Sequence, residues 1–412
     1  MRMKFNKSSQ LLLVSAASLL VAGLLTACET LTVDFVYVTT AKAAGTNNYG
    51  EVDVFEINAE SGFMRQIPTS PFPSGGRNPV ADAVSTDASN LYVVNQDDNT
   101  IVQFAIGNDG KLYPQNTVNT PGVFPLAAAV SGSNLFVLDT YQPLPSCSTA
   151  APCSGSIAVY PIATSTTSTS NGVLGSPLAN GNLNYWPLGL TGTNAGDVLL
   201  PTGLTVLTSG STSYLYVAAY DTTATTGYVF GFSVGSSGAL TPLNGGVPFA
   251  AGTHPSAIAS IAGGANVYVT DAANGVVLGY SVSSGILQPL TSGTKGGNTF
   301  QAGTQPSAMV IDPSGTYAYV TNALDSSVTA YSITGGALTS LGSFPTGLQP
   351  VAIGIDANLH HFLFTANFLG NSVSGFELSP TDGTLINSQN SPYTSNAQPT
   401  AVVAIPHNGT TK

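Results

Sequence analysis

Seven times along this 412-residue chain a short phrase recurs, and the seven copies constrain the fold more than any other feature. Half of the phrase is an X-Pro step leading into an apolar run: Asn78-Pro79, Phe124-Pro125, Leu200-Pro201, His254-Pro255, Gln305-Pro306, Gln349-Pro350 and Gln398-Pro399. The other half is a short aromatic or β-branched segment around Tyr37, Tyr92, Phe136, Tyr216, Tyr268, Tyr319 and Phe364. A period of roughly 45–55 residues is that of a β-propeller, where each repeat is one blade that buries its faces against its neighbours.

Each repeat divides into four strands. An inner strand such as Ala308-Met309-Val310-Ile311 follows the X-Pro step, and Asp312-Pro313-Ser314-Gly315 turns the chain into the second strand, Tyr317-Ala318-Tyr319-Val320-Thr321-Asn322. The third strand alternates in every copy, as in Val328-Thr329-Ala330-Tyr331 and Val373-Ser374-Gly375-Phe376. That period of two marks a half-buried strand. A glycine then closes the next hairpin: Gly62, Gly110, Gly172, Gly238, Gly285, Gly336 and Gly383. Glycine takes a positive φ without steric cost.

The two ends complement each other. The first repeat begins at its second strand, Phe35-Val36-Tyr37-Val38, and the last X-Pro strand, Pro399 to Ile405, has no second strand after it. The C-terminal strand is therefore expected to become the inner strand of the first blade, closing a seven-bladed ring and hiding its edges. The expected fold is all-β, with four antiparallel strands per blade.

Tyr319-Val320-Thr321-Asn322 spells YVTN, and Tyr268-Val269-Thr270-Asp271 and Tyr37-Val38-Thr39-Thr40 are near copies. The chain resembles the YVTN and lactonase-like seven-bladed propellers over residues 33–407. That group includes enzymes of the 6-phosphogluconolactonase type. The resemblance implies a propeller and a possible lactone hydrolase. Fold alone does not carry activity, because propellers host many unrelated functions.

Arg2, Lys4 and Lys7 precede an apolar run from Leu11 to Leu25, the layout of a secretory signal. The run ends in Leu25-Thr26-Ala27-Cys28, which resembles a bacterial lipobox. The expected organisation is a signal peptide over 1–27, a lipid-anchored tether over 28–32 with Cys28 lipidated, the propeller over 33–407 and a tail over 408–412. The other two cysteines, Cys147 and Cys153, lie close enough in a loop to form a disulfide in an exported protein. The expected location is the cell envelope, with the membrane reached through the lipid alone.

Charged residues make up 7% of the chain, against roughly 25% in an average protein. After Cys28 only Lys42, Arg65, Arg77, Lys111, Lys295 and Lys412 oppose 20 acids. Such a surface repels phosphate backbones, so nucleic acid is not an expected partner. It suits a phosphorylated sugar lactone badly and a neutral lactone better. Neither a metal site nor a cofactor is expected: Asp97-Asp98-Asn99 lacks the spacing of a calcium loop, and His360-His361 on a strand would point in opposite directions. No P-loop, G-x-S-x-G elbow or dinucleotide fingerprint is present.

Loops from second to third strand and from blade to blade share one face, called the top. The longest of these are 141–154 and 179–199, the second holding Tyr185 and the only tryptophan, Trp186. Binding usually resides in long loops on a rigid scaffold. The primary expectation is thus a monomeric binding or scaffold propeller whose top face takes a protein, glycan or small molecule through Tyr185, Trp186, Gln305, Gln349, Gln398 and Asp271. The alternative is a lactone hydrolase. The resemblance implies His and Arg near the X-Pro steps, matched here by His254 as the base that activates water and Arg77 as an oxyanion donor.

Overall fold

The structure is a computed structural model, described for all residues except 1–31, 45–46, 59–60, 144–146, 148–152, 165–170, 357–361 and 407–412. The expected signal segment, Cys28, His360, His361 and His407 lie outside the described residues.

Seven antiparallel sheets form the ring. Blade 2 shows the plan: inner strand Pro79–Val84, second strand Asn90–Asn95, third strand Thr100–Ile106 and outer strand Leu112–Asn119. In blades 1, 4, 5 and 7 the outer edge is two short pieces that both pair with the third strand, such as Leu240–Pro242 and Phe249–Ala250. The helical content among the described residues is three single 3-10 turns. None is long and apolar enough to cross a membrane.

The C-terminal strand closes the ring as the end-pairing requires. Pro399–Pro406 runs antiparallel to Thr32–Ala44, with Phe35 opposite Ile405 and Val38 opposite Val402. Blade 1 is thereby built from both ends of the chain. At its lower end Asp34 and Asp356 are both buried. Burial, together with the neighbouring Asp356 carboxyl, holds Asp34 protonated far above the usual carboxylate range.

Between blades the second-strand tyrosines act as staples. Tyr37, Tyr92, Tyr216, Tyr268 and Tyr319 are fully buried, and each hydroxyl donates to the hairpin glycine of the next blade: Gly110, Gly172, Gly285, Gly336 and Gly383. Those glycines sit at positive φ. The approach is tight, since a Cβ on Gly110 would lie 2.5 Å from Phe35. Blades 3 and 7 carry Phe136 and Phe364 in the tyrosine's place. In blade 3 the missing donor is supplied by Trp186, whose Nε1 donates to Leu240 O of blade 4 at 2.8 Å; in blade 7 Tyr393 OH donates to Gln389 O of its own blade and lies 3.4 Å from Gly62 O of blade 1. A bond of this kind contributes about 1 kcal/mol, and a buried carbonyl left bare costs about 1–3 kcal/mol.

Candidate active site

The X-Pro steps form the upper rim of the central channel. Asn78, Phe124, Gln305, Gln349 and Gln398 all have left-handed backbones, with φ between 44° and 56°. Side chains from the preceding blade hold these turns: Asn99 Oδ1 accepts from Phe124 N–H at 2.7 Å, and Asn371 Oδ1 accepts from Gln398 N–H at 2.9 Å. Below the rim, hydroxyls lace neighbouring inner strands together. Ser256 donates to Pro306 O at 2.5 Å, Ser307 to Pro350 O at 2.7 Å and Thr400 to Pro79 O at 2.9 Å.

The last residue of the YVTN strand is a loop clamp. Asp271 accepts backbone N–H bonds from Thr253, His254, Ala273 and Asn274, and the Asn274 side-chain amide as well. These bonds hold its carboxyl below its ordinary range despite burial. Asn322 does the same for Gly303 N–H, and Asp139 for Gly122 N–H. Asp271 is thus occupied with its own loop.

His254 is exposed on the rim, its ring 4.5 Å from that of Tyr220. Arg77 lies on the other side of the ring, three blades away. Its guanidinium and backbone N–H both engage the Asp98 carboxylate, with Nε–Oδ1 at 2.6 Å and N–Oδ2 at 2.7 Å. It lines an open groove of about 520 Å³ with Asn47, Tyr49, Gly75, Asp98, Thr100 and Thr117. The two expected catalytic residues are therefore both on the top, but the structure does not bring them together.

Tyr185 and Trp186 depart from the expected placement in an exposed loop. Both are buried, at 7% and 5% exposure. Trp186 pairs with Ile157 as the outer strand of blade 3 and packs among Phe136, Leu188 and Leu215. Its indole fills the space and supplies the donor that Phe136 lacks. The two long loops do meet: Ser154 donates to Asp197 O at 3.2 Å and accepts from Leu199 N–H at 3.0 Å. Cys147 and Cys153 form the expected disulfide, with Cα atoms 5.2 Å apart.

The residue that stands out chemically is one the sequence reasoning passed over. Among all seven inner strands, Asp82 is the only charged side chain. It sits about 10 Å below the Pro79 rim at ordinary strand rise, half-buried, on a strand that pairs along one edge only and so borders the channel with the other. Thr39 of blade 1 donates its hydroxyl to Asp82 Oδ2 at 2.9 Å. Burial pushes the carboxyl up to about 7, outweighing that bond. Asp139 is likewise pushed up to about 7 by burial, but it is fully enclosed and bonded to the 120–122 loop. Among the described residues of the inner strands, Asp82 is the one carboxyl, half-buried and pushed up to about 7. The signal was legible: one acid in seven strands that are otherwise apolar, small or hydroxylated.

Residues 226–404 match the family model described as Lactonase, 7-bladed beta-propeller. No curated protein matches the chain. Among solved structures, a proposed 6-phosphogluconolactonase from Bacteroides fragilis superposes with a TM-score of 0.69 at 20% identity, covering 91% of this chain and 99% of that one. A second proposed 6-phosphogluconolactonase, from Bacteroides uniformis, gives 0.65 at 18%, with 90% and 99% covered. The periplasmic gluconolactonase PpgL of Pseudomonas aeruginosa gives 0.67 at 18%, again with 90% and 99% covered. Repeat, ring closure and family match agree on the fold: the chain is a seven-bladed β-propeller whose residues 226–404 are similar to the lactonase propellers.

Proposed function

We propose that this propeller hydrolyses a neutral lactone in its central channel, with Asp82 as the general base. The observation that carries the proposal is the single near-neutral carboxyl on the channel wall. As carboxylate it takes a proton from water while the water oxygen bonds to the lactone carbonyl carbon. The tetrahedral intermediate then breaks the ring C–O bond, and Asp82 returns the proton to the leaving alkoxide. The product is the open hydroxy acid. A base whose pKa lies near the working pH is well matched to this task.

The similar structures named as lactonases support the reaction class, and the charges favour the neutral substrate. No inner strand carries Lys or Arg, and Arg65, Arg77 and Lys111 are engaged by Glu56, Asp98 and Asp109. Among the described residues of the inner strands, a phosphate dianion entering the channel would meet Asp82 and no cation. Purified protein is expected to hydrolyse δ-gluconolactone well above the spontaneous rate and to handle its 6-phosphate more slowly. Activity on the phosphorylated lactone alone would sink the choice of substrate, and activity on neither would sink the reaction.

Export and a lipid anchor at Cys28 fit the Cys147–Cys153 disulfide, which forms in oxidising compartments. The periplasmic location of PpgL is consistent with export. Palmitate labelling of the protein in cells should be lost in Cys28→Ser. Retained labelling, or none in the parent, would remove the anchor.

A further inference from the structure

Besides Phe124 on the rim of blade 3, 41% exposed and edge-on to Tyr141, the top face carries an aliphatic sector. Leu324, Leu348 and Leu369 are 66%, 61% and 60% exposed, and all three lie on blades 6 and 7. Their loops form a continuous surface. Thr346 N–H bonds Ser326 O at 2.8 Å, and Gly370 N–H bonds Leu348 O at 3.0 Å. The surface reaches the channel rim through Gln349, whose N–H approaches Ser326 Oγ at 3.4 Å. Leucine is not a requirement of the turn. At the position of Leu324 and Leu369, blades 1 to 5 carry Lys42, Asp97, Tyr141, Thr223 and Ala273; at the position of Leu348, blades 1 to 6 carry Ala397, Arg77, Val123, Leu199, Thr253 and Thr304, with Leu199 fully buried where Leu348 is exposed. The loops contain no cation, and the one acid, Asp325, accepts Thr304 N–H at 2.5 Å.

We infer that this sector is a subsite for an aliphatic chain, so that the preferred lactone is an alkyl- or acyl-substituted one. The inference rests on the lactonase reading above and names its substrate class. The lactone ring would enter the channel toward Asp82, and the chain would lie outward across Leu348 onto Leu324 and Leu369. Three side chains fall far short of the ~800 Å² per partner of a specific protein interface. Their continuity with the rim puts a tail where a ring-bound substrate would extend it. Exposed leucines on neighbouring, hydrogen-bonded loops are the kind of patch that marks a binding site.

Two measurements separate this inference from the reading it rests on. The first is calorimetric binding of unreactive alkyl δ-lactams, their chains lengthened one methylene at a time. Affinity should rise about two- to fourfold per methylene, as expected for partial to full burial of each group. The rise should flatten in a Leu324→Ser, Leu348→Ser, Leu369→Ser variant that melts like the parent. The second is kcat/KM for the matching lactones, which should climb in parallel. A flat lactam series overturns the inference, whatever the lactones do. Hydrolysis of the unsubstituted lactone with no gain from the chain overturns it while leaving the lactonase reading intact. A rising lactam series with no lactone hydrolysed supports the subsite and removes the lactonase reading. A dimer in sedimentation that the triple variant dissolves would assign the leucines to self-association and overturn the inference as well.

Discussion

Replacing Asp82 by Asn is expected to lower kcat/KM for a neutral lactone by about 10²–10⁴-fold, the usual worth of a positioned general base. The pH profile carries the sign. The working form is the carboxylate, so kcat/KM in the parent should rise with pH and level off above about 7. In Asp82→Asn that rise should vanish from the enzyme-dependent rate. Stability should move the other way. Because the folded carboxyl titrates near 7 and an unfolded one near 4, the folded state binds the proton more tightly. Its contribution is present below the unfolded pKa and is lost as pH climbs to about 7. Asparagine cannot ionise and still offers an acceptor to Thr39 Oγ1, so the variant should melt no lower than the parent at alkaline pH. A loss of activity with preserved or improved melting is the signature of chemistry. A parent-like rate in Asp82→Asn, with a large loss in His254→Ala, would return the role of base to the exposed rim histidine.

The fold was legible because its determinants are local and repeated. Each X-Pro step, hairpin glycine and YVTN strand states its position within a blade, and the unpaired strands at the two ends leave one way to close the ring. The site was less legible because it depends on what departs from the repeat. His254 stands directly before its proline and Arg77 one residue earlier in the phrase, and both lie on the top; three blades nevertheless separate them, and Arg77 is neutralised by Asp98. Trp186 looked like an exposed anchor because it lies in a long insertion. Its role follows from a different position: Phe136 lacks the hydroxyl that five other blades use, and Trp186 Nε1 replaces it. Tyr393 fills the corresponding space beside Phe364, its hydroxyl bonded to Gln389 O with Gly62 O at 3.4 Å. Comparing the repeats position by position, rather than looking for reactive residue types, exposes these substitutions. The same comparison isolates Asp82 as the one charge among the inner strands, and Leu324 and Leu369 as aliphatic residues where the other blades carry Lys42, Asp97, Tyr141, Thr223 and Ala273.

Deleting residues 397–412 should abolish cooperative unfolding and leave an aggregating protein. The strand Pro399–Pro406 serves two hydrophobic cores at once, because its alternate residues face opposite sides. Val402 and Ala404 pack with Val36, Val38, Phe362, Phe364 and Ala366 in the seam toward blade 7. Val403 and Ile405 pack with Tyr37, Leu91, Val93 and Phe104 toward blade 2. Burying a side chain such as Val or Ile is worth about 1.5–3 kcal/mol. Three of these residues, together with the partners they cover and the ladder to Phe35–Thr40, therefore approach the whole ~5–15 kcal/mol stability of a typical domain. The deletion also leaves Phe35, Tyr37 and Val38 on an unpaired edge, a template for intermolecular strand addition. Thr400 goes with it, and with Thr400 the bond to Pro79 O that ties blade 1 to the strand carrying Asp82. Calorimetry and light scattering of the truncated protein check the outcome. Adding the missing segment back as a synthetic peptide should restore a cooperative transition, since the two faces of the strand specify both its register and its place. A truncated protein that melts like the parent without the peptide would mean that the ring holds without its closing strand.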